Sequence, residues 1–127
     1  MGYRVVSADD LEPEPDRPCT LRRLAPSAGL EHVAVNRFDA EPGEQLPLAY
    51  HYHDEQEEAF YVLSGTLHVE TPERTFVVPA GDLFAVEPGN PQRAYNPEDA
   101  DEAVEVLAIG APPVRDDVHA YDPDGEP

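Results

Sequence analysis

The chain has 127 residues, enough for one domain with a buried core. Its formal net charge is −19, from 27 acidic residues against eight arginines, and it contains no lysine. This negative field would repel nucleic acid and anionic membrane surfaces, so neither is expected as a partner.

The acidic residues are spread along the whole chain, which has two explanations. One is a halophilic origin, a protein of a high-salt cytoplasm in which self-repulsion is screened and carboxylates keep the surface hydrated. The other is an ordinary acidic protein with an acidic tail. No stretch approaches the ~18 apolar residues of a membrane span, and the polar start is unlike a signal peptide. The expected location is therefore the cytoplasm.

Residues 1–29 are expected to form an N-terminal arm. An acidic segment containing Pro13, Pro15 and Pro18 cannot be an interior strand or a helix. Residues 20–24 predict a short edge strand, and the arm would lie on the domain or cross to a partner chain. The single cysteine in this arm is expected to be unreactive, and it can form neither an internal disulfide nor a cysteine-based metal site.

The first strand of the central domain is predicted over residues 30–38. Val33 and Val35 share one face there, and His32 falls on the other, where it is expected to be exposed. After a Pro-Gly turn, residues 48–53 predict a second strand. In that strand the odd positions, which include both histidines, point one way and the tyrosines the other.

A hairpin is predicted over residues 59–70. Strands 59–63 and 66–70 flank Ser64-Gly65, a two-residue loop in which glycine tolerates positive φ. Such a loop would pair Leu63 with Thr66, Val62 with Leu67 and Phe60 with Val69. The paired apolar residues would share the face of Glu58, which places His68 on the opposite face and away from any site built around Glu58.

Four further strands are predicted, at residues 74–78, 82–86, 92–96 and 104–109, separated by turns rich in proline and glycine. Many short strands without a helical pattern indicate an all-β fold, a small antiparallel sandwich or barrel. The domain would cover residues 30–110. Residues 111–127 form an acidic, proline-rich tail that is expected to be weakly ordered.

Three side chains within residues 43–65 are expected to hold a metal ion. His51 and His53 are two residues apart on a strand, so they project from one face and can reach one point in space. Glu58 shares its face with apolar residues, where a carboxylate is costly unless it is paired or bound to a cation. Two histidines and one carboxylate make a facial triad that leaves coordination positions open. The nearby Asp54, Glu55 and Glu57 are expected to lie in a solvated loop.

Two stretches of the chain resemble the two motifs of the cupin superfamily, and the chain is most similar to its small single-domain members. The first motif has Gly, a spacer, His-x-His, Glu and Gly, which match Gly43, His51, His53, Glu58 and Gly65. The second motif matches at Gly81, Gly89 and Asn96. In this motif Glu87 stands where the family has proline, and Gln92 stands where it has histidine.

The resemblance implies a jelly-roll β-barrel of two packed antiparallel sheets with a metal inside, held by His51, His53, Glu58 and the residue at position 92. The expected cofactor is a divalent transition metal: Fe, Mn, Zn or Ni. Family members often form homodimers through their N-terminal strands. The family includes dioxygenases, isomerases, decarboxylases and binding proteins, so the fold does not settle the activity.

Gln92 leaves three interpretations open, because its amide oxygen is a weaker ligand than imidazole. A three-ligand site could hold the metal, with Gln92 coordinating weakly or binding a metal-bound water. The site could instead be a ligand pocket with an optional metal. Without any metal, Glu58 should be protonated or hydrogen-bonded to Gln92.

The cavity is expected to be lined by Phe60, Val62, Leu67 and Val69, and by Phe76 or Phe84. Arg37 and Arg93 are expected to pair with surface acids. No basic side chain clearly enters the cavity, which argues against a phosphorylated or strongly anionic substrate. The outward-facing tyrosines, which fit a homodimer interface better than a binding site, are Tyr50, Tyr52, Tyr61 and Tyr95.

Two functions follow from this reasoning. The first is a metal-dependent enzyme, such as an oxygenase of a small organic molecule. The second is a non-catalytic cupin that binds a small ligand, with a structural or vestigial metal site. The sequence offers no convincing second acid–base group for the cavity, which counts against a hydrolase or an isomerase that needs one.

Overall fold

The computed structural model describes residues 2–113 and 117–124, and it confirms the all-β prediction. A 3-10 helix, Ala8–Asp10, and one short helix, α1 (Ala25–Ala28), accompany ten strands. The strands are β1 (Thr20–Arg23), β2 (Ala34–Ala40), β3 (His51–His53), β4 (Glu57–Ser64), β5 (Thr66–Glu70), β6 (Thr75–Pro79), β7 (Leu83–Val86), β8 (Arg93–Tyr95), β9 (Val104–Ala111) and β10 (Val118–Ala120).

Two antiparallel layers form the barrel. The first is a five-stranded sheet in the order β1-β2-β9-β4-β7. The second combines a three-stranded sheet, β6-β5-β8, with a two-stranded one, β10-β3. A bridge between His51 and Gln92 links these two parts. This is the antiparallel sandwich that the turn-punctuated strands predicted, in the jelly-roll form that the resemblance implied.

The register of the five-stranded sheet sets out its inner face in rows. One row runs from Ala34 through Gly110 and Glu58 to Val86. The next row, from β1 to β7, contains Arg23, Asn36, Ala108, Phe60 and Phe84. The third contains Leu21, Phe38, Val106 and Val62, all of which are buried. The inner face therefore changes from apolar to polar and small toward one end of the barrel.

The predicted hairpin at residues 59–70 is wrong. β4 pairs with β7 and β9, whereas β5 pairs with β6 and β8 in the other layer. Gly65, with φ of 74°, turns the chain from one sheet into the other. Alternation alone cannot distinguish the two arrangements, because a corner preserves which side chains face the core. Accordingly Phe60, Val62, Leu67 and Val69 are all buried, as expected.

The strand predicted over residues 48–53 is shorter in the structure, where only His51–His53 is extended and paired. The edge strand in the N-terminal arm is confirmed as β1. Part of the tail differs from the expected weakly ordered segment, because β10 pairs with β3. Residues 114–116 and 125–127 of that tail lie outside the described residues.

Candidate metal centre

The strand β3 directs both of its histidines into the barrel. His51 and His53 are each 9% exposed, whereas Tyr52 between them is only partly buried on the other face. This alternation follows from the period of two in an extended strand. The predicted orientation of the two imidazoles is therefore the one observed.

Glu58, near the start of β4, meets these histidines from the opposite sheet. The potential ligand atoms of His51, His53 and Glu58 all lie within 4.8 Å of one another. His53 Nε2 and Glu58 Oε1 are 3.1 Å apart. Two donors bound to one ion at about 2.1 Å lie roughly 3.0–3.4 Å apart, so this pair already has the spacing of two ligands.

Gln92, the residue before β8, reaches the same cluster. His51 and Gln92 exchange both backbone hydrogen bonds, at 3.2 and 2.9 Å, so their side chains share one face. The Gln92 side chain is 2% exposed, and its Nε2 donates to Glu58 Oε1 at 3.3 Å. Its Oε1 is buried without a hydrogen-bond partner among the described residues. The structure thus brings the fourth predicted residue to the cluster.

Both imidazoles present Nε2 to the centre of the cluster. His51 Nδ1 lies 2.9 Å from the carbonyl oxygen of Ala49, which can only accept, so Nδ1 carries the proton. His53 Nδ1 faces Asp117 Oδ2 at 3.7 Å, a distance too long for a direct hydrogen bond. The acceptor behind Nδ1 of His51 favours the tautomer that leaves its Nε2 free to coordinate.

The local environment shifts the pKa values of the two imidazoles in opposite directions. Burial lowers the pKa of His51 and favours the neutral ring that binds metal. The hydrogen bond to Glu58 is the main cause that raises the pKa of His53. A cation in the cluster would compete with that proton, because imidazole and carboxylate bind metal only when deprotonated.

The donor set fits a divalent transition metal. Two imidazole nitrogens and one carboxylate oxygen suit Fe, Mn, Zn or Ni. The Oε1 of Gln92 adds a neutral oxygen within the same buried space. These side chains come from β3, β4 and the residue before β8, so two facing layers fix their positions.

Asp117 supports the cluster from a part of the chain that the sequence assigned to the tail. Its carboxylate accepts the backbone N–H groups of Asp54, Glu55 and Gln56 at 2.8–3.0 Å. Burial would raise the pKa of Asp117, but these three hydrogen bonds outweigh that effect, so the pKa is lowered. Asp117 therefore fixes the loop that joins His53 to Glu58.

The strand β10 covers the edge of β3. Val118 lies opposite His53, and Ala120 lies opposite His51. His119 projects outward, where it stacks on Tyr52 and lies 2.7 Å from the exposed carboxylate of Asp54. The alternation of apolar residues around His119 was the sequence signal for this strand, but three residues are too short to stand out.

The residues expected to lie outside the cluster do so. Glu55 and Glu57 are exposed, as Asp54 is. His68 lies on the outer side of β5 and packs on Tyr95, with ring centroids 5.7 Å apart. His32 is exposed.

A cavity of about 1170 Å³ opens beside the cluster. Its apolar wall includes Leu21, Phe38, Leu46, Phe60, Ala94 and Ala108. The prediction that Val62, Leu67 and Val69 line the cavity is wrong, because they pack without any exposure in the closed half of the barrel. Small side chains explain the space: Gly110 and Ala108 face the cavity, whereas Val106 and Val104 fill the corresponding positions deeper in the barrel.

The prediction that no basic side chain enters the cavity is also wrong. Arg17 and Arg23, both from the N-terminal arm, line it. Arg23 follows the inner face because it lies two residues after Leu21 on β1. Arg37 and Arg93 pair with Glu105 and Glu70, as expected.

The single thiol is buried in the N-terminal arm. Cys19 is 7% exposed, and burial is the main cause that raises its pKa to about 12.

Within residues 2–113 and 117–124, no helix is long and apolar enough to cross a membrane.

Comparison with known proteins identifies similar chains. A family model described as "Cupin domain" matches residues 29–110. No curated protein matches the chain significantly. A proposed sugar phosphate isomerase from Acidithiobacillus ferrooxidans is 28% identical, with a TM-score of 0.66. That match covers 73% of this chain and 58% of the other, so this chain spans little more than half of that relative's length.

Two further solved structures are similar over more of their length. A sugar phosphate isomerase of the cupin superfamily from Silicibacter pomeroyi is 26% identical, with a TM-score of 0.74. The match covers 85% of this chain and 75% of the other. The polyketide cyclase RemF from Streptomyces resistomycificus is 23% identical, with a TM-score of 0.77, over 94% of this chain and 85% of the other. At that identity the likeness to RemF shows the fold alone.

Proposed function

This chain belongs to the cupin domain family, and from that premise we propose that it is a metal-dependent enzyme acting on a small organic molecule. The observation that carries the proposal is the convergence of His51, His53 and Glu58 within 4.8 Å beside an open cavity. Three protein ligands leave coordination positions for a substrate.

The chain's own residues supply binding and orientation. A divalent metal in the cluster would polarise a substrate oxygen, and Fe or Mn would add the redox chemistry that oxygenases use. Glu58 provides a negative charge that balances part of the cation's charge. Phe38 and Phe60 form an apolar wall that excludes water from the reacting group. Gln92 offers an amide group at the edge of the cluster that would orient a substrate oxygen.

Oxygenase chemistry is the reaction class that we favour for this donor set. A site of two histidines and one carboxylate with open positions is typical of oxygenases that use iron. Two relatives at 26–28% identity are named as sugar phosphate isomerases, one of them as a proposed one. Isomerisation of a small hydroxylated molecule is therefore the catalytic alternative to be tested beside oxygenation.

One observation favours a second function, a non-catalytic cupin that binds a small ligand. Gln92 Nε2 donates to Glu58 Oε1, and His53 Nε2 contacts the same oxygen. These contacts can satisfy the carboxylate without a cation, as expected for a structural or vestigial metal site.

Metal analysis separates these functions most directly. The protein, purified without chelator, should carry about one transition-metal ion per chain. His51→Ala should lose that metal, and His68→Ala, which changes a histidine outside the cluster, should retain it. Unchanged metal content in His51→Ala would show that the metal lies elsewhere. Protein that carries no metal would support the non-catalytic function.

Oxygen uptake tests the favoured reaction class. Protein loaded with Fe or Mn should consume oxygen with at least one member of a panel of small acids and phenols, and His51→Ala should not. Stoichiometric zinc together with no oxygen consumption would refute the oxygenase form. Assays with hydroxylated sugars and their phosphates, in the same protein, test the isomerase alternative.

A homodimer in the cytoplasm remains part of the proposal. Tyr50 and Tyr52 already pack on Tyr121 and His119 of the same chain, which weakens their expected role at an interface. The outer face of the five-stranded sheet supplies an alternative apolar surface, formed by Tyr61, Leu63, Leu83 and Ile109. Light scattering on Leu83→Glu tests this surface as the dimer interface, since a charge there should produce monomers.

A gain in stability with added potassium chloride would support the halophilic origin.

A further inference from the structure

Arg17 brings a positive charge into the cavity from the N-terminal arm. Its Nη2 lies 3.4 Å from the carbonyl oxygen of Leu46, a buried residue of the cavity wall. The arm is held in place by a backbone hydrogen bond from Glu14 to Leu21, at 2.8 Å, and by the pairing of β1 with β2. The guanidinium therefore has a fixed position on the wall that also includes His51 and Glu58.

Arg17 has no directly paired carboxylate among the described residues, although the chain has 27 acidic residues and Glu14 attracts the guanidinium from a longer distance. In the part of the chain that the structure describes, no carboxylate lies within 4 Å of Arg17, whereas four other arginines have one: Arg22, Arg23, Arg37 and Arg93. Nε of Arg17 is buried and has no hydrogen-bond partner among the same residues. Buried donors are rarely left unpaired, because desolvation costs free energy that only a partner offsets.

A second arginine strengthens the positive potential at this end of the cavity. Arg23 is paired with Glu14 at 2.6 Å but remains half exposed. Burial is the main cause that lowers the pKa of Arg17, and repulsion from Arg23 lowers it further. An anion here would relieve this repulsion.

We infer that Arg17 is the anchor for an anionic group of the substrate, a carboxylate or a phosphate, whose remainder lies on the apolar wall and reaches His51, His53 and Glu58. This inference rests on the proposed function for the assignment of the reacting end. Arginine presents a planar fork of donors that matches both anions in bidentate geometry. Arg17, His51 and Glu58 line one cavity of about 1170 Å³, which has room for a small organic acid or phosphate ester.

Binding of three matched aromatic probes tests the inference: benzoate, phenyl phosphate and the neutral benzyl alcohol. Calorimetry would compare the unaltered protein with Arg17→Gln and with Arg93→Gln, a control whose arginine is paired on the outer face. Arg17→Gln should weaken binding of at least one anion by about 10- to 100-fold and leave benzyl alcohol unaffected. Arg93→Gln should bind all three probes as the unaltered protein does. The two anions together distinguish a carboxylate from a phosphate site.

Several outcomes would overturn the inference. Equal anion binding by Arg17→Gln and the unaltered protein would do so, as would the absence of binding of both anions to the unaltered protein. If Arg17→Gln does not fold, Arg17→Lys should still show at least a several-fold loss, because lysine keeps the charge but not the fork. Anion binding by Arg17 in metal-free protein would support the subsite even where the metal site fails. Intact metal binding with unchanged anion affinity in Arg17→Gln would remove the subsite alone.

Discussion

Replacement of Gly65 by alanine should destabilise the barrel strongly, because the corner between β4 and β5 has no room for a side chain. Gly65 has φ of 74°, which costs any other residue about 1–2 kcal/mol. A Cβ atom there would overlap the carbonyl oxygen of Ala103 and lie 3.0 Å from Val104 Cα. These are backbone atoms at the start of β9, so their displacement should cost a further ~1–3 kcal/mol.

The matched control is Gly81→Ala. Gly81 also has a positive φ, of 91°, but a Cβ atom there would meet nothing within 4 Å. We therefore expect a loss of about 2–5 kcal/mol for Gly65→Ala and about 1–2 kcal/mol for Gly81→Ala. Urea unfolding followed by circular dichroism measures both. Equal losses in the two variants would refute the argument that contact with β9, rather than the backbone conformation, makes the corner specific for glycine.

Three further predictions follow from the site and the core. Asp117→Asn should weaken zinc binding about 10- to 100-fold in a chelator competition, because it loosens the loop between His53 and Glu58, whereas Glu55→Gln should bind normally. Cys19, with a pKa of about 12, should resist iodoacetamide at pH 8 in the folded protein and react quickly in urea, and fast labelling of the folded protein would contradict its burial. Leu67→Ala should cost about 2–5 kcal/mol in urea unfolding, whereas the exposed Leu48→Ala should change stability by less than about 0.5 kcal/mol, so similar losses would argue against the core assignment.

Alternation along single strands predicted the parts of the site that depend on local geometry. The shared face of His51 and His53 needs only the period of two. The apolar neighbours of Glu58 correctly placed its side chain on the inner face of β4. The second motif identified position 92 as a candidate ligand position. The backbone pairing of Gln92 with His51 explains why that position faces the cluster.

Partners in other strands could not be predicted in the same way. Gly65 permits both a hairpin and a corner, and the choice depends on whether β4 gains more from pairing with β9 or with β5. Asp117 lies in a proline-rich acidic segment without periodicity, so its contact with the loop at Asp54 depends on the completed barrel. Arg17 could not be placed for the same reason, because it too lies in a proline-rich segment without periodicity. Only the course of the arm across the barrel shows that it faces the cavity.

The pairing of β10 with β3 has a consequence for the biosynthesis of the protein. His51 and His53 are synthesised early, but β10, the strand that covers them, is synthesised last among the described elements. At about 5–20 residues per second, the 65 residues from His53 to Val118 take the ribosome roughly 3–13 s. During that interval a nascent chain can expose the imidazoles without Asp117 behind them. Whichever ion the cell offers in that interval competes for an unfinished site, so the availability of metals during synthesis influences which one the finished barrel encloses.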